Sequence, residues 1–168
     1  MQVLLVYESM FGNTALVARA IADGMSERVH VRLAEVGTMP EVSGVDAVVV
    51  GAPTHAFGLS RPSTRHDAAG KGAVTPPDRP GVREWLATSP RAHLPVAVFD
   101  TVVVRPMLLG SAADKAAKAL RKAGYRLVAA PENFRVTDTA GPLRDGELDR
   151  ARRWGEHLAA TVAPQRTG

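Results

Sequence analysis

Residues 2–14 read Gln2-Val3-Leu4-Leu5-Val6-Tyr7-Glu8-Ser9-Met10-Phe11-Gly12-Asn13-Thr14, and the fold is decided here. The apolar positions within 2–7 are consecutive rather than alternate, and the run is short and followed by a glycine. That combination predicts a strand buried on both faces. A helix is predicted from Thr14 to about Ser26, where Val17, Ile21 and Met25 recur every four residues with Leu16 and Ala20 beside them, making one stripe to lay on a sheet. A buried strand, a tight loop and an amphipathic helix are the first unit of an alternating α/β chain.

The same alternation continues outward. Val29 to Val36 reads as a second strand whose charged interruptions suit a sheet edge. Asp46–Gly51, with Ala47-Val48-Val49-Val50, and Leu94–Asp100, with Val96-Ala97-Val98-Phe99, are two more fully buried strands, which implies parallel pairing. Val82–Thr88 is a short helix. Ser111–Gly124 is an alanine-rich one, with Ser111 as its N-cap and Gly124 just past its end. Arg126–Val136 supplies the last strand. Asp145 is placed to cap a final helix with Leu148, Ala151, Gly155, Leu158 and Val162 on one face. Ser60–Gly81 holds Pro62, Pro76, Pro77, Pro80 and three glycines. It is too long for an ordinary connection, so a lid or a disordered loop is expected at 60–81. Five parallel strands with helices on both faces, in one domain over 1–168, is the expected architecture. In such sheets ligands sit beyond the carboxyl ends of the strands, which directs attention to the loops after Val6, Gly51 and Phe99.

Composition narrows the function classes. At 168 residues, 45% hydrophobic and 23% charged, the chain has the make-up of one soluble globular domain. The lack of cysteine excludes disulfide frameworks, thiolate zinc sites and cysteine nucleophiles. No metal site is expected. No window resembles a membrane span, and the first residues do not resemble a cleavable leader, so a cytoplasmic location is expected. The sequence pI of about 10.0 raises the question of nucleic acid. However, residues 1–60 hold three basic and six acidic residues, the excess of positive charge falls entirely after position 60, and aromatics are only 5%. No block of like charge or stacking motif accompanies it, so nucleic acid is not an expected partner. Seventeen arginines against four lysines hint at a GC-rich bacterial genome.

The loop Ser9-Met10-Phe11-Gly12-Asn13-Thr14 is neither a dinucleotide fingerprint nor a P-loop, having one glycine and no Gly-Lys-Ser/Thr. Its hydroxyls (Ser9, Thr14), its amide (Asn13), a glycine that lets the backbone approach, and the first N–H groups of the following helix all suit a phosphate. The competing reading is a plain helix cap made by the same side chains. This hydroxyl-rich Ser/Thr-x-x-Gly-x-Thr turn, free of basic side chains, resembles the FMN phosphate loop of the flavodoxin family. The order of elements, the Gly51-Ala52-Pro53-Thr54-His55 turn and the chain length are also similar to short-chain flavodoxin-like proteins, as is Gly141-Pro142-Leu143 followed by Gly146-Glu147-Leu148. The resemblance implies a three-layer sandwich with strand order 2-1-3-4-5 and bound FMN.

It further implies that the flavin ring lies between the loops after the third and fourth strands. The first of these offers Pro53, Thr54, His55 and Phe57, with His55 or Phe57 able to stack on the ring. Phe57 has the alternative of packing beneath the lid. The second offers Asp100 and Thr101, but where flavodoxins typically carry a tyrosine and several acids this chain reads Val102-Val103-Val104-Arg105. That departure leaves one ring face to aliphatic groups and makes room for a flat substrate. Arg61, Arg65 and Arg105 fall in or beside these loops and could stabilise an anionic reduced ring, unless they are solvated lid residues. Three functions therefore compete. The first is an FMN-binding redox protein that passes electrons to a partner protein. The second is an FMN-dependent oxidoreductase acting on a flat acceptor, of the quinone reductase or protoporphyrinogen oxidase type. The third is an FMN-free interaction module.

Overall fold

The computed structural model describes residues 1–56, 58–103 and 110–163. The run that opens the chain is strand β1 (Gln2–Tyr7), followed by α1 (Asn13–Met25), β2 (His30–Glu35), β3 (Ala47–Pro53), α2 (Pro62–Gly70), α3 (Val82–Thr88), β4 (Pro95–Val103), α4 (Ala112–Lys122), β5 (Arg126–Leu127), β6 (Glu132–Val136) and α5 (Glu147–Val162). All strand pairings between these elements are parallel, in the order β2-β1-β3-β4-β5 with β6 also on β4. This is the expected order. Successive residues of β1 serve opposite faces, which is why its apolar run is unbroken. Leu4 and Val6 join Val48, Val50, Val96 and Val98 beneath Val82 and Trp85 of α3 and Ala113, Ala116 and Leu120 of α4. Val3 and Leu5 join Val49, Ala97, Phe99 and Phe134 beneath Val17, Ile21 and Met25 of α1 and Ala151 and Leu158 of α5.

Helices α1 and α5 meet backbone to backbone. A Cβ added at Gly24 would stand 2.1 Å from the Arg152 carbonyl oxygen, and one at Gly155 would stand 2.2 Å from that of Ile21. No side chain fits at either point. Two of the expected helix signals are confirmed: the Ser111 hydroxyl accepts from the Asp114 N–H at 3.2 Å to cap α4, and Gly124 takes φ +96° after its end. Among the described residues no helix is long and apolar enough to cross a membrane.

Three expectations need correction. The single strand 126–136 is two, because after the Val128 N–H bonds the Val96 carbonyl at 3.0 Å residues 129–131 leave the ladder, Pro131 having no N–H to offer, and pairing with β4 resumes at Phe99↔Glu132. Asp145 does not cap α5. Gly146 holds the N-cap position at φ 81° without a side-chain cap. Leu148 is 42% exposed, and the buried stripe of α5 runs instead through Ala151, Gly155, Leu158 and Ala159. Finally, 60–81 contains α2, entered through Pro62 in the first turn. Its Thr64 hydroxyl accepts from the Arg61 N–H at 2.9 Å, a cap of the Thr-at-N3 kind.

Candidate functional site

The ends of β1, β3 and β4 converge on the loop at 9–14. Gly12 sits at φ 96° as the N-cap of α1, a conformation that costs a side-chain-bearing residue roughly 1–3 kcal/mol. Among the described residues no side chain caps α1, and its first turn holds no acid. The three polar side chains that might have capped it are engaged elsewhere. The Ser9 hydroxyl accepts from the Gly12 N–H at 3.1 Å, Asn13 donates to the Ala140 carbonyl at 3.1 Å, and the Thr14 and Thr101 hydroxyls pair at 2.7 Å. Among the described residues the helix N-terminus with its outward N–H groups is thus left for a ligand, and a Cβ placed at Gly12 would have no atom of theirs within 4 Å.

Two adjoining cavities open from this loop. The smaller, about 80 Å³, is lined by Ser9, Met10, Phe11, Asn13, Thr14, Pro53, Thr54, His55 and Thr101, together with Val103, Val136 and Thr139. The larger, about 310 Å³, runs on between Phe11, Thr54 and His55, the end of β4 (Val102, Val103), Thr139, and the α2 residues Thr64, Asp67 and Ala68 with Lys71 just beyond. The structure therefore brings together nine of the residues singled out in the sequence. Gly12 forms part of the rim on the Tyr7–Leu16 side.

Some of those residues have other tasks. Asp100 lines neither cavity. It is fully buried, and its carboxylate accepts from the Ala113 N–H at 2.9 Å, Asn133 Nδ2 at 2.8 Å and the Thr54 hydroxyl at 3.0 Å. Burial pushes its carboxyl above the ordinary range even so. The Thr54 hydroxyl in turn accepts from the Ala112 N–H at 2.9 Å, so both side chains anchor the start of α4. Met10 is buried, and its carbonyl accepts from the Val74 N–H at 2.8 Å. His55 stands 3.2 Å from the Thr64 hydroxyl. Burial first, and then the Arg65 and Lys71 charges, lower its pKa from the ordinary imidazole value. Phe57 and Arg105 lie outside the described residues.

Of the expected cations, Arg65 is placed differently and Arg61 is exposed. Arg65, read as a ring-loop or solvated lid residue, is 4% exposed and pairs with Glu84 at 3.2 Å while donating to the Ser60 hydroxyl at 2.9 Å. Glu8 completes the cluster, accepting from the Ser60 hydroxyl and from the Val82 N–H at 2.8 Å. Arg61 faces a different cleft. Lys71, beside Asp67, is the cation of the larger cavity among the described residues. Sequence reading missed the α2 wall, although Pro62 and Thr64 are a helix-start signal that the surrounding prolines and glycines obscured. It also missed Thr75, whose hydroxyl donates to the Ser9 carbonyl at 2.6 Å, and Thr139, for which no local signal exists.

Glu8 carries a pH dependence. Burial raises its pKa above 4.5, against the opposing bonds from Ser60 and Val82 and the charge of Arg65. A raised folded pKa means that the protonated carboxyl stabilises the fold below pH 4.5, and this contribution is lost as pH rises through the raised value. Glu8→Gln should therefore gain on the wild type in urea midpoint as pH is raised from 4.5 toward 8. Parallel curves would refute the assignment.

The sheet order and the cleft at its carboxyl ends define a flavodoxin-fold α/β protein. Residues 4–63 match the family described as Flavodoxin domain. Among solved structures, an archaeal flavodoxin superposes with TM-score 0.70 at 22% identity, covering 96% of this chain and 99% of its own. Oxidised flavodoxin 1 from Bacillus cereus gives TM-score 0.71 at 18% identity, covering 97% and 100%. A WrbA-like flavodoxin from Agrobacterium tumefaciens gives 0.61 at 19% identity, covering 96% of each. No curated protein matches the chain in sequence. The chain has the flavodoxin fold, and residues 4–63 carry the match to that domain family.

Proposed function

We propose that this protein binds FMN in the paired cavities and transfers electrons through it. The observation that carries the reading is the uncapped N-terminus of α1 behind a left-handed Gly12, with the Ser9 and Thr14 hydroxyls alongside. Backbone N–H groups and hydroxyls in such an arrangement suit a phosphate without any basic side chain. The same observation weighs against the plain-cap reading, since the side chains that would make the cap bond to other groups. Bound FMN supplies the one- and two-electron redox chemistry. The chain's part is to hold the phosphate at 9–14, to enclose the ring between α2 and the end of β4, and to keep the His55 and Lys71 side chains beside it.

A second reading, an oxidoreductase acting on a flat acceptor, is favoured by the wall formed by Val102 and Val103, where a stacking tyrosine typical of flavodoxins would leave less room. Absorbance titration with FMN tests the cofactor. The wild type should give a saturable shift of the flavin band. Thr14→Ala and Ser9→Ala should each weaken binding about fivefold, the loss of about 1 kcal/mol expected for one hydrogen bond. Equal affinity in all three proteins would sink the loop assignment.

A further inference from the structure

On the far side of the 55–58 turn from the ring cavity lies a cleft of about 630 Å³, lined by His55, Ala56, Gly58, Leu59, Arg61, Arg83, Leu86, Ala87, Lys115 and Ala119. His55 and Ala56 line both cavities, so a single turn separates them. The His55 N–H bonds the Gly58 carbonyl at 2.8 Å, and the Gly58 N–H returns to the His55 carbonyl at 3.0 Å. Among the described residues three cations enter the cleft and no carboxylate lines it. Among the described residues none of the three is in an ion pair. Arg83 is held in place, its Nε donating to the Ser60 carbonyl at 2.9 Å and one Nη to the Leu59 carbonyl at 2.8 Å. The rest of its guanidinium fork is available to a ligand at small entropic cost.

We infer that this cleft is an anion subsite that takes the phosphate or pyrophosphate group of a small molecule reacting at the adjoining ring cavity; the last clause rests on the FMN reading. Two guanidinium groups and an ammonium, with no acid to offset them, match a polyanion rather than a single carboxylate. The floor of Leu59, Leu86, Ala87 and Ala119 gives an apolar body somewhere to lie. The concave shape and size are those of small-molecule sites rather than of a flat protein interface. A group anchored there has only the Ala56 turn to cross to reach the ring cavity.

The test is an ¹⁵N NMR titration with inorganic pyrophosphate at low ionic strength, with and without FMN. Saturable shifts are expected at the Gly58, Ala87 and Ala119 amides, and none from acetate at matched ionic strength. Ala87→Glu, which adds a carboxylate on an exposed helix face and removes no contact of Arg83, should weaken pyrophosphate at least tenfold and leave FMN affinity unchanged. Lys115→Gln should weaken it severalfold. Equal affinity in Ala87→Glu overturns the site, as do shifts confined to Gly12–Thr14 or spread over Arg121, Lys122 and Arg126. A cleft response in protein that takes up no FMN supports the subsite while removing the flavin reading, so the two fail separately.

Discussion

Arg65→Met is expected to cost about 3 kcal/mol of folding stability and to weaken FMN binding as well. The guanidinium is 4% exposed and ties together Glu84, the Ser60 hydroxyl and the Pro77 carbonyl. Removing it leaves Glu8 buried without the charge that Arg65 places beside it. It also leaves Glu84 without the Arg65 hydrogen bonds that, together with that of the Gly81 N–H, hold its carboxyl below the ordinary range against the upward push of burial. The loss should be smaller at pH 5 than at pH 8, because Glu8 already binds its proton more tightly than an ordinary carboxyl and can escape the penalty by neutralising. FMN affinity should fall because Arg65 lies on the inner side of α2, while Thr64, Asp67 and Ala68 of the same helix wall the larger cavity. Urea unfolding at the two pH values checks the first part and flavin titration the second. Adding Glu8→Gln and Glu84→Gln to Arg65→Met should recover part of the stability, as expected when a buried charge set is removed whole rather than broken. A loss independent of pH would contradict the account.

Gly155→Val should be comparably damaging by a different route. Its Cβ would come 2.2 Å from the Ile21 carbonyl oxygen, and the next nearest atoms are also backbone, so no side chain can swing aside. The helices must separate, opening the layer in which Phe99, Phe134 and Trp154 stack edge to face at centroid distances of 5.9–6.2 Å. A loss of about 3 kcal/mol is expected, the upper part of the usual range for overpacking. In thermal unfolding this should lower Tm by roughly 6–12 °C for a chain of this size. Leu148→Ala on the exposed face of the same helix is the control and should move Tm little.

How much the sequence revealed follows from how local each signal is. The apolar runs of β1, β3 and β4 were legible because a strand buried on both faces needs no partner to declare itself. The loop at 9–14 was legible because its residue types and its position before an amphipathic helix are adjacent in the chain. The role of Asp100 was not. As a polar residue at a strand end it reads the same whether it faces a ligand or, as here, the first N–H groups of α4 thirteen residues later. The destination of Arg65 depends on Glu84 and Glu8, 19 and 57 positions away in the sequence, and no spacing rule connects them. The α2 wall was missed because proline was read as a breaker across the whole segment. At Pro62 it instead occupies the first helical turn, where its missing N–H costs nothing.

The gap between β5 and β6 has a consequence for what the chain can accommodate. Residues 129–131 lie between the two pairings, out of the ladder, and Ala130 is exposed. Because β4 is gripped independently below the gap at Pro95 and Val96 and above it from Phe99 to Val103, extra residues between Ala130 and Pro131 would leave both grips in register. Lengthening a flexible connection costs only about 0.6 kcal/mol per doubling. This gap is where an added segment, whether acquired in evolution or grafted as a reporter, can be carried without disturbing the cleft at the other ends of β1 and β3.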